Sequence, residues 1–167
     1  MEVGAERGVS EGMRGMASAA SQIASFIAKF DPANAKLIRA CRSALRKRLP
    51  SANELVYDNY NFLAIGYSAS ERPSDCVVSL AAAANGVGLS FYYGAMLPDP
   101  DGILLGSGSQ NRFVRLPTAA TLADPRVERL IRAALAQAKT PMPQTGRGHT
   151  IVKSISAKQR PRRGAER

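Results

Sequence analysis

The chain contains 167 residues, of which 45% are hydrophobic, and it carries a formal net charge of +10 at neutral pH. This length predicts one domain with tails, and the excess of positive charge favours acidic partners such as nucleic acid or an anionic membrane surface without indicating a fold. No apolar run approaches the roughly 18 residues that span a bilayer, and the N-terminus has no continuous apolar segment of a secretory signal. We therefore expect a cytoplasmic protein that is not inserted in a membrane.

Two helices are predicted at the start of the chain. Residues 1–15 are rich in Gly, Glu and Arg and are predicted to be disordered. Apolar residues then recur at spacings of three and four, which is typical of one helical face, and this helix starts either at Met13 or nearer Ser18. Asp31 and Pro32 open the second helix, because Asp caps free amides and Pro tolerates the first helical position.

The second predicted helix is amphipathic, with apolar and basic residues on opposite arcs. The apolar arc contains Leu37, Ile38, Cys41, Leu45 and Leu49, and the basic arc contains Lys36, Arg39, Arg42, Arg46 and Lys47. Because the apolar arc must face the core, the basic arc is expected to face water. It is either a solvated surface or a surface that contacts phosphates.

Residues 54–116 hold all five tyrosines and the strand-like runs of the chain. They are predicted to form a mainly antiparallel sheet of about five strands. Asn85 and Gly86 lie between two apolar runs and predict a two-residue hairpin turn, because both turn positions accept positive φ. The two N-terminal helices and a third helix that begins at Asp124-Pro125 are expected to cover this sheet, which gives an α+β class.

The predicted domain spans residues 16–139, and residues 140–167 form a basic tail. Alternation at residues 150–156 is compatible with a short strand in this tail. The tail contains five candidates for phosphate contacts, namely Lys153, Lys158, Arg160, Arg162 and Arg163. Each cation near a phosphate releases counterions and makes the affinity depend on salt. The alternative is a disordered tail that only adds solubility.

The sequence has no GxSxG, P-loop, HExxH or CxxC pattern. Its single histidine, His149, falls in the tail, which argues against a nucleophile–histidine pair in the core. Asp58 and Asp75 are the one carboxylate pair that we consider as acid and base, although both also fit caps at strand ends. Cys41 and Cys76 lie in different predicted elements and are expected to be small buried residues without a disulfide. An enzymatic role is not favoured.

A sheet that helices cover on one side needs only some of its aromatic residues for the core. The others could line a ligand groove or a homodimer interface. A Gly- and Ser-rich loop that ends in an arginine could add amides and a guanidinium for an anion. The candidates for this groove are Tyr57, Tyr60, Tyr67, Tyr92 and Arg112. Core packing and a plain connecting loop remain the alternatives.

Several short motifs of the chain are shared with one known family. They are VYDNYN (Val56–Asn61), ERPSD (Glu71–Asp75), LPDPDG (Leu97–Gly102), GSGSQNRF (Gly106–Phe113), KSISAKQRPRR (Lys153–Arg163) and the two Asp-Pro helix starts. With these motifs the chain resembles the YdhG-like family, a bacterial domain family of unknown function. The resemblance implies a small α+β domain with a curved antiparallel sheet packed by helices.

At least one YdhG-like relative is described as a frataxin-like iron chaperone, so the resemblance leaves iron open as a ligand. Iron chaperoning requires exposed carboxylate oxygens, because hard cations prefer oxygen ligands. Residues 12–30 contain no Asp or Glu, and the helix that follows is basic. From the residues themselves we predict no metal site and no cofactor.

Two functional classes therefore remain open. The first is a non-catalytic, YdhG-like module that binds a small ligand, a metal or another protein in a chaperone-like role. The second is a non-specific nucleic-acid-associated protein that uses the basic helix face and the basic tail. A homodimer is compatible with either function, and an enzyme is the third alternative.

Overall fold

The structure, a computed structural model, describes residues 17–164, so the predicted disordered segment 1–15 and the last three residues lie outside it. The helices are α1 (Ala19–Ile27), α2 (Pro32–Arg48) and α3 (Pro125–Gln137), and the strands are β1 (Asn53–Asp58), β2 (Leu63–Ser68), β3 (Cys76–Ala83), β4 (Gly86–Phe91), β5 (Arg112–Arg115) and β6 (Thr150–Ile155). Among the described helices, none has the length and apolar content needed to cross a membrane.

Side-chain caps begin all three helices. The hydroxyl oxygen of Ser18 accepts a hydrogen bond from the backbone amide of Ser21 at 3.1 Å, before α1. Asp31 accepts from the amide of Asn34 at 2.9 Å, with proline at the first turn of α2. Asp124 caps α3 in the same way. The two predicted Asp-Pro helix starts are therefore confirmed, because a cap acts within three residues of sequence.

The strands form one six-stranded sheet in the order β5-β4-β3-β2-β1-β6. All neighbouring strands are antiparallel except β1 and β6, which are parallel. The predicted α+β class is confirmed. The sheet has one strand more than predicted from residues 54–116, because β6 lies within residues 150–156 and pairs with the edge of β1.

The hairpin between β3 and β4 lies where it was predicted, but its turn is shifted by one residue. Ala83 pairs with Gly86, so Ala84 and Asn85 form the loop. Gly86 has φ +138°, and no other type of residue has a positive φ within the described chain. Positive φ is thus required directly after the loop, in a region of backbone space that only glycine adopts easily. The predicted turn at Asn85-Gly86 is wrong in this detail.

The hydrophobic core lies between the three helices and one face of the sheet. Val56, Ile65, Leu80, Leu89 and Val114 are paired neighbours on successive strands and form a buried row across five of them. Burying each such side chain contributes about 1.5–3 kcal/mol. Helix α1 lies against β6, whereas α2 and α3 pack over the centre of the sheet. Both cysteines are buried and free, as predicted.

Candidate anion-binding site

Two carboxylates lie on the helix-facing side of β1, inside the protein. Glu54 is 2% exposed and Asp58 is fully buried. They are four residues apart on a strand and therefore project from the same face. The sequence is compatible with Asp58 at a strand end, but it gives no sign that either acid is buried. A buried carboxylate requires compensating cations and hydrogen bonds, and each of the two has a different set.

Glu54 is compensated mainly by helix α2. Arg42 donates two hydrogen bonds to it, from Nε to Oε2 at 3.0 Å and from Nη2 to Oε1 at 2.9 Å. The hydroxyl groups of Tyr67 and Thr150 donate at 2.9 and 2.8 Å. Burial acts to raise the pKa of Glu54, but these hydrogen bonds and the charge of Arg42 outweigh it and leave the pKa below its usual value. Glu54 is therefore ionised at neutral pH and holds Arg42 in place.

Above this pair is an open pocket of about 610 Å³ between the outer face of α2 and the segment that leads into β6. We call it the basic pocket. Five cationic side chains line it, namely Arg39, Arg42, Arg46, Lys47 and Arg147. Among the residues that the structure describes, Glu54 is the one carboxylate in the lining, and it is already bonded to Arg42. The lining therefore has an excess of four positive charges, which favours an anionic ligand.

Three of these cations are not neutralised by a neighbour. Within the described residues, no carboxylate oxygen lies within 4.0 Å of Arg39, Lys47 or Arg147. Arg46 contacts Glu54 only at 3.7 Å, and its side chain is half exposed. Guanidinium groups that are not engaged by acids match the geometry of phosphate and carboxylate oxygens.

The wall opposite α2 is held rigidly against the loop before β1. The amide of Gly148 donates to the carbonyl of Pro50 at 3.0 Å, and the amide of His149 donates to the side chain of Asn53 at 2.8 Å. A Cβ atom at Gly148 would clash with the backbone of Ala52. Close approach of two backbones is a role that only glycine fills. These contacts hold the backbone that follows Arg147, which lines the basic pocket at this wall.

Four of the five predicted basic residues of α2 come together in this pocket. Lys36 is exposed on the same helix but does not line it. Arg147 was missed, because it lies in an irregular segment (Gly146–His149) that has no periodic pattern. The glycines on both sides of Arg147 were a signal, because glycine lets two segments of backbone approach closely. They did not indicate which element this segment approaches.

Arg162 is a correction to the predicted set of phosphate contacts. Its side chain is buried, and Nη2 donates to Asp58 at 3.1 Å and to the carbonyl oxygen of Asn59. Its guanidinium also lies 5.9 Å from the ring centroid of Phe30. Because its side chain is buried, Arg162 is not accessible to a phosphate. Together with Lys29, whose Nζ lies 2.6 Å from Asp58, it compensates the buried carboxylate of Asp58.

The other four tail candidates are exposed but lie apart from the basic pocket. Lys153 is on β6, and Lys158, Arg160 and Arg163 follow it. The chain after β6 is tied to the far end of β1, where the amide of Ser156 donates to the Asp58 carbonyl. Glu54 lies beside the basic pocket, and Asp58 lies beside the segment that follows β6. Four residues of β1 separate these two acids by about 13 Å. The guanidinium of Arg160 lies 5.6 Å from the ring centroid of the exposed Tyr60.

The five groove candidates do not share one surface. Tyr67 is completely buried on the helix-facing side of the sheet, where it bonds Glu54. Tyr57 lies three residues from Glu54 on a regular strand and projects from the opposite face. Tyr60 and Tyr92 are about half exposed, in separate loops. Arg112 bonds the carbonyls of its own glycine-rich loop.

The predicted carboxylate pair is also separated by the sheet. Asp58 ends β1 beside the start of β2, whereas Asp75 precedes β3 beside the end of β2. Asp75 accepts hydrogen bonds from the hydroxyls of Ser70 and Thr140, at 2.6 and 3.0 Å. Across residues 17–164, no group of three or more His, Cys, Asp or Glu side chains is arranged to hold a metal ion.

Comparison of the chain with protein-family models, with curated proteins and with solved structures gave no match.

Proposed function

We propose that this protein binds the phosphate backbone of nucleic acid through the basic pocket. The observation that carries the proposal is the uncompensated charge of Arg39, Lys47 and Arg147 on two elements that face each other across an open pocket. Cations on both sides of an open pocket can contact successive phosphates of one nucleic-acid strand. This arrangement suits an acidic protein surface less well, because carboxylates are spaced irregularly.

Binding of this kind is independent of base sequence. Contacts from arginine and lysine to phosphates position a protein on nucleic acid but do not read bases. Within residues 17–164, the lining of the pocket offers no Asn, Gln or aromatic side chain for base recognition. We expect weak binding, with a dissociation constant on the order of 10–100 µM at physiological salt. The affinity falls as salt rises, because each neutralised phosphate releases counterions.

The test compares two triple variants that lose the same charge. Arg39→Gln/Lys47→Gln/Arg147→Gln removes cations from the basic pocket, and Lys153→Gln/Lys158→Gln/Arg163→Gln removes cations from the tail. Fluorescence anisotropy with labelled single-stranded RNA and duplex DNA is measured at about 50 and 200 mM salt. The pocket variant is expected to bind at least about tenfold more weakly, with a salt slope reduced by about two to three.

The tail variant is the control, because it shows whether binding depends on the basic pocket or only on the net charge of the protein. If the tail variant loses as much affinity as the pocket variant, the binding follows net charge and the proposed site is wrong. If the unaltered protein binds neither nucleic acid at low salt, the proposed function is wrong. Circular dichroism of both variants establishes that they are folded before affinities are compared.

Membership of the YdhG-like family is a further proposal, which the motifs at Val56–Asn61 and Gly106–Phe113 support. With it we propose a cytoplasmic location, where nucleic acid is accessible. Iron binding, as the resemblance implies, is tested by titration calorimetry with Fe(II) under anaerobic conditions. Binding of a small anion is tested by its displacement of RNA in the anisotropy assay, which would agree with the chemistry of the basic pocket.

A further inference from the structure

A second pocket of the structure has a volume of about 460 Å³. It is located where the C-terminal end of α3 meets the start of β3 and the end of β4. Small-molecule sites in proteins commonly have volumes of about 300–1,000 Å³. None of the residues that line the basic pocket lines this one, so the two cavities are separate.

The floor of the second pocket is apolar. Val77 and Phe91 come from the sheet, and Ala134 comes from α3, and all three are buried residues of the main core. Ala138 continues the floor at the end of the helix, and Met96, which is 77% exposed, stands at the mouth. An exposed methionine beside an apolar cavity offers a flexible, polarisable contact to a ligand. The floor therefore accepts the apolar body of a small molecule.

The walls are held together by hydrogen bonds between the three segments that form them. The hydroxyl of Tyr93 donates to the carbonyl of Ser74 at 3.1 Å, and the side-chain amide of Gln137 donates to the carbonyl of Tyr93 at 3.2 Å. The hydroxyl of Thr140 donates to Asp75 at 3.0 Å. These bonds close a ring around the pocket, so that its shape exists before a ligand enters. A preformed site lowers the entropic cost of binding.

The rim carries two cations and one acid. Arg72 and Lys139 are both exposed. Asp75 accepts hydrogen bonds from Ser70 and Thr140 and contacts Arg72 at 3.4 Å. Within the described part of the chain, Lys139 has no carboxylate within 4.0 Å. The rim thus keeps one net positive charge beside an apolar floor.

We propose that this pocket binds a small organic acid with an apolar body and a single carboxylate. The apolar body lies on Phe91 and Ala134, where it removes apolar surface from water. The carboxylate points to the rim, where Lys139 and Arg72 can donate charge-assisted hydrogen bonds. A dianion is less suitable, because Asp75 supplies a negative charge next to the same cations.

The test uses three naphthalene probes that differ only in the group they carry. Binding of 2-naphthoate, 2-naphthalenemethanol and 2-naphthylmethylamine to the full chain is measured by titration calorimetry and by chemical shift changes in NMR spectra. We expect the acid to bind most tightly, at least about tenfold more tightly than the alcohol, and the amine to bind most weakly. Shifts are expected at Phe91 and Ala138. Equal binding of the three probes would contradict a site for an anion.

Two matched pairs of variants locate the site. Ala138→Leu narrows the pocket, whereas Ala136→Leu adds the same side chain two residues earlier, at an exposed position of α3 outside the pocket lining. Lys139→Gln removes a rim cation, whereas Lys158→Gln removes an exposed cation outside the pocket. Both pocket variants are expected to lower the affinity for 2-naphthoate by about tenfold. Both controls are expected to leave this affinity unchanged. If Ala136→Leu and Ala138→Leu weaken it equally, the acid binds elsewhere and the proposal fails.

This inference is independent of nucleic-acid binding, and its failure is distinguishable from that of the proposed function. Substitutions at Lys139 and Ala138 do not alter the basic pocket, so they are expected to leave RNA binding unchanged. The triple variant of the basic pocket is expected to retain its affinity for 2-naphthoate. Competition between RNA and 2-naphthoate would show that both bind to one surface. That result would overturn the assignment of the organic acid to the second pocket.

Discussion

Arg162 donates a hydrogen bond to Asp58 at 3.1 Å, although 104 residues separate the two in the chain. Both side chains are buried, with 3% and 0% of their surface exposed. The contact joins the C-terminal segment to the end of β1, the strand that also carries Glu54. The segment that follows β6 is therefore part of the fold of this domain, and its last described residues stabilise a charge in the interior.

Replacement of Arg162 by alanine is expected to destabilise the protein by about 3 kcal/mol, because it leaves a buried carboxylate with Lys29 as its remaining cation. Arg163→Ala removes an exposed cation one residue away and is expected to change the free energy of unfolding by less than about 0.5 kcal/mol. Urea denaturation of both variants measures the difference. Similar stabilities for the two variants would show that the Asp58 contact contributes little.

Acid is expected to destabilise the protein through Glu54 and Asp58. Burial acts to raise the pKa of both groups, yet hydrogen bonds from Arg42 to Glu54 and from Lys29 to Asp58 leave each pKa lowered in the folded state. The folded state therefore binds fewer protons than the unfolded state. The stabilisation is fully present above the unfolded pKa values, near 4, and is lost as the pH falls below them.

Glu54→Gln tests this linkage. The variant is expected to be less stable than the unaltered protein at pH 7, because it loses the charge-assisted bonds to Arg42. It is also expected to have a smaller slope of unfolding free energy against pH below about pH 4.5. Urea denaturation at a series of pH values gives both quantities. An unchanged slope would mean that Glu54 does not titrate differently in the folded and unfolded states.

Gly86→Val is expected to destabilise the protein by about 1–3 kcal/mol, because φ +138° is strained for any residue with a Cβ atom. The position is otherwise open, since an added Cβ would meet no atom of residues 17–164 within 4 Å. Gly108→Val is the matched control, because Gly108 is equally open and has an ordinary φ. Thermal unfolding of both variants compares them. Equal midpoints would show that the hairpin tolerates another conformation.

Gly148→Ala is expected to cost about 1–3 kcal/mol of stability, because the new methyl group would push against the Ala52 backbone. The displaced segment carries Arg147, so affinity for RNA is expected to fall as well. Gly164→Ala adds the same methyl group in open space and serves as the control. Reduced stability with normal RNA affinity of Gly148→Ala would place Arg147 outside the binding site, and normal stability would show that the segment tolerates the added methyl group.

The sequence by itself determined the features that depend on neighbouring residues. Asp31 and Asp124 capped helices as predicted, since a cap forms within one helical turn. The strand-like runs of residues 54–116 predicted the sheet and the α+β class, because aromatic and β-branched residues favour extended structure. The arc of cations on α2 was predicted from the period of a helix. The turn of the β3–β4 hairpin was misplaced by one residue, because the positive φ of Gly86 falls directly after the two-residue loop and not within it.

The tertiary structure alone decided which of the charged residues are available. Arg162 and Arg163 are adjacent in a basic tail, yet one is buried against Asp58 and the other is exposed. Arg147 reached the basic pocket because a parallel strand, β6, returns the chain to β1, where Thr150 pairs with Glu54, 96 residues earlier. Contacts of this range depend on how the strands pair. No local pattern of residues specifies that pairing, because the free energy that selects it comes from burial across the whole sheet.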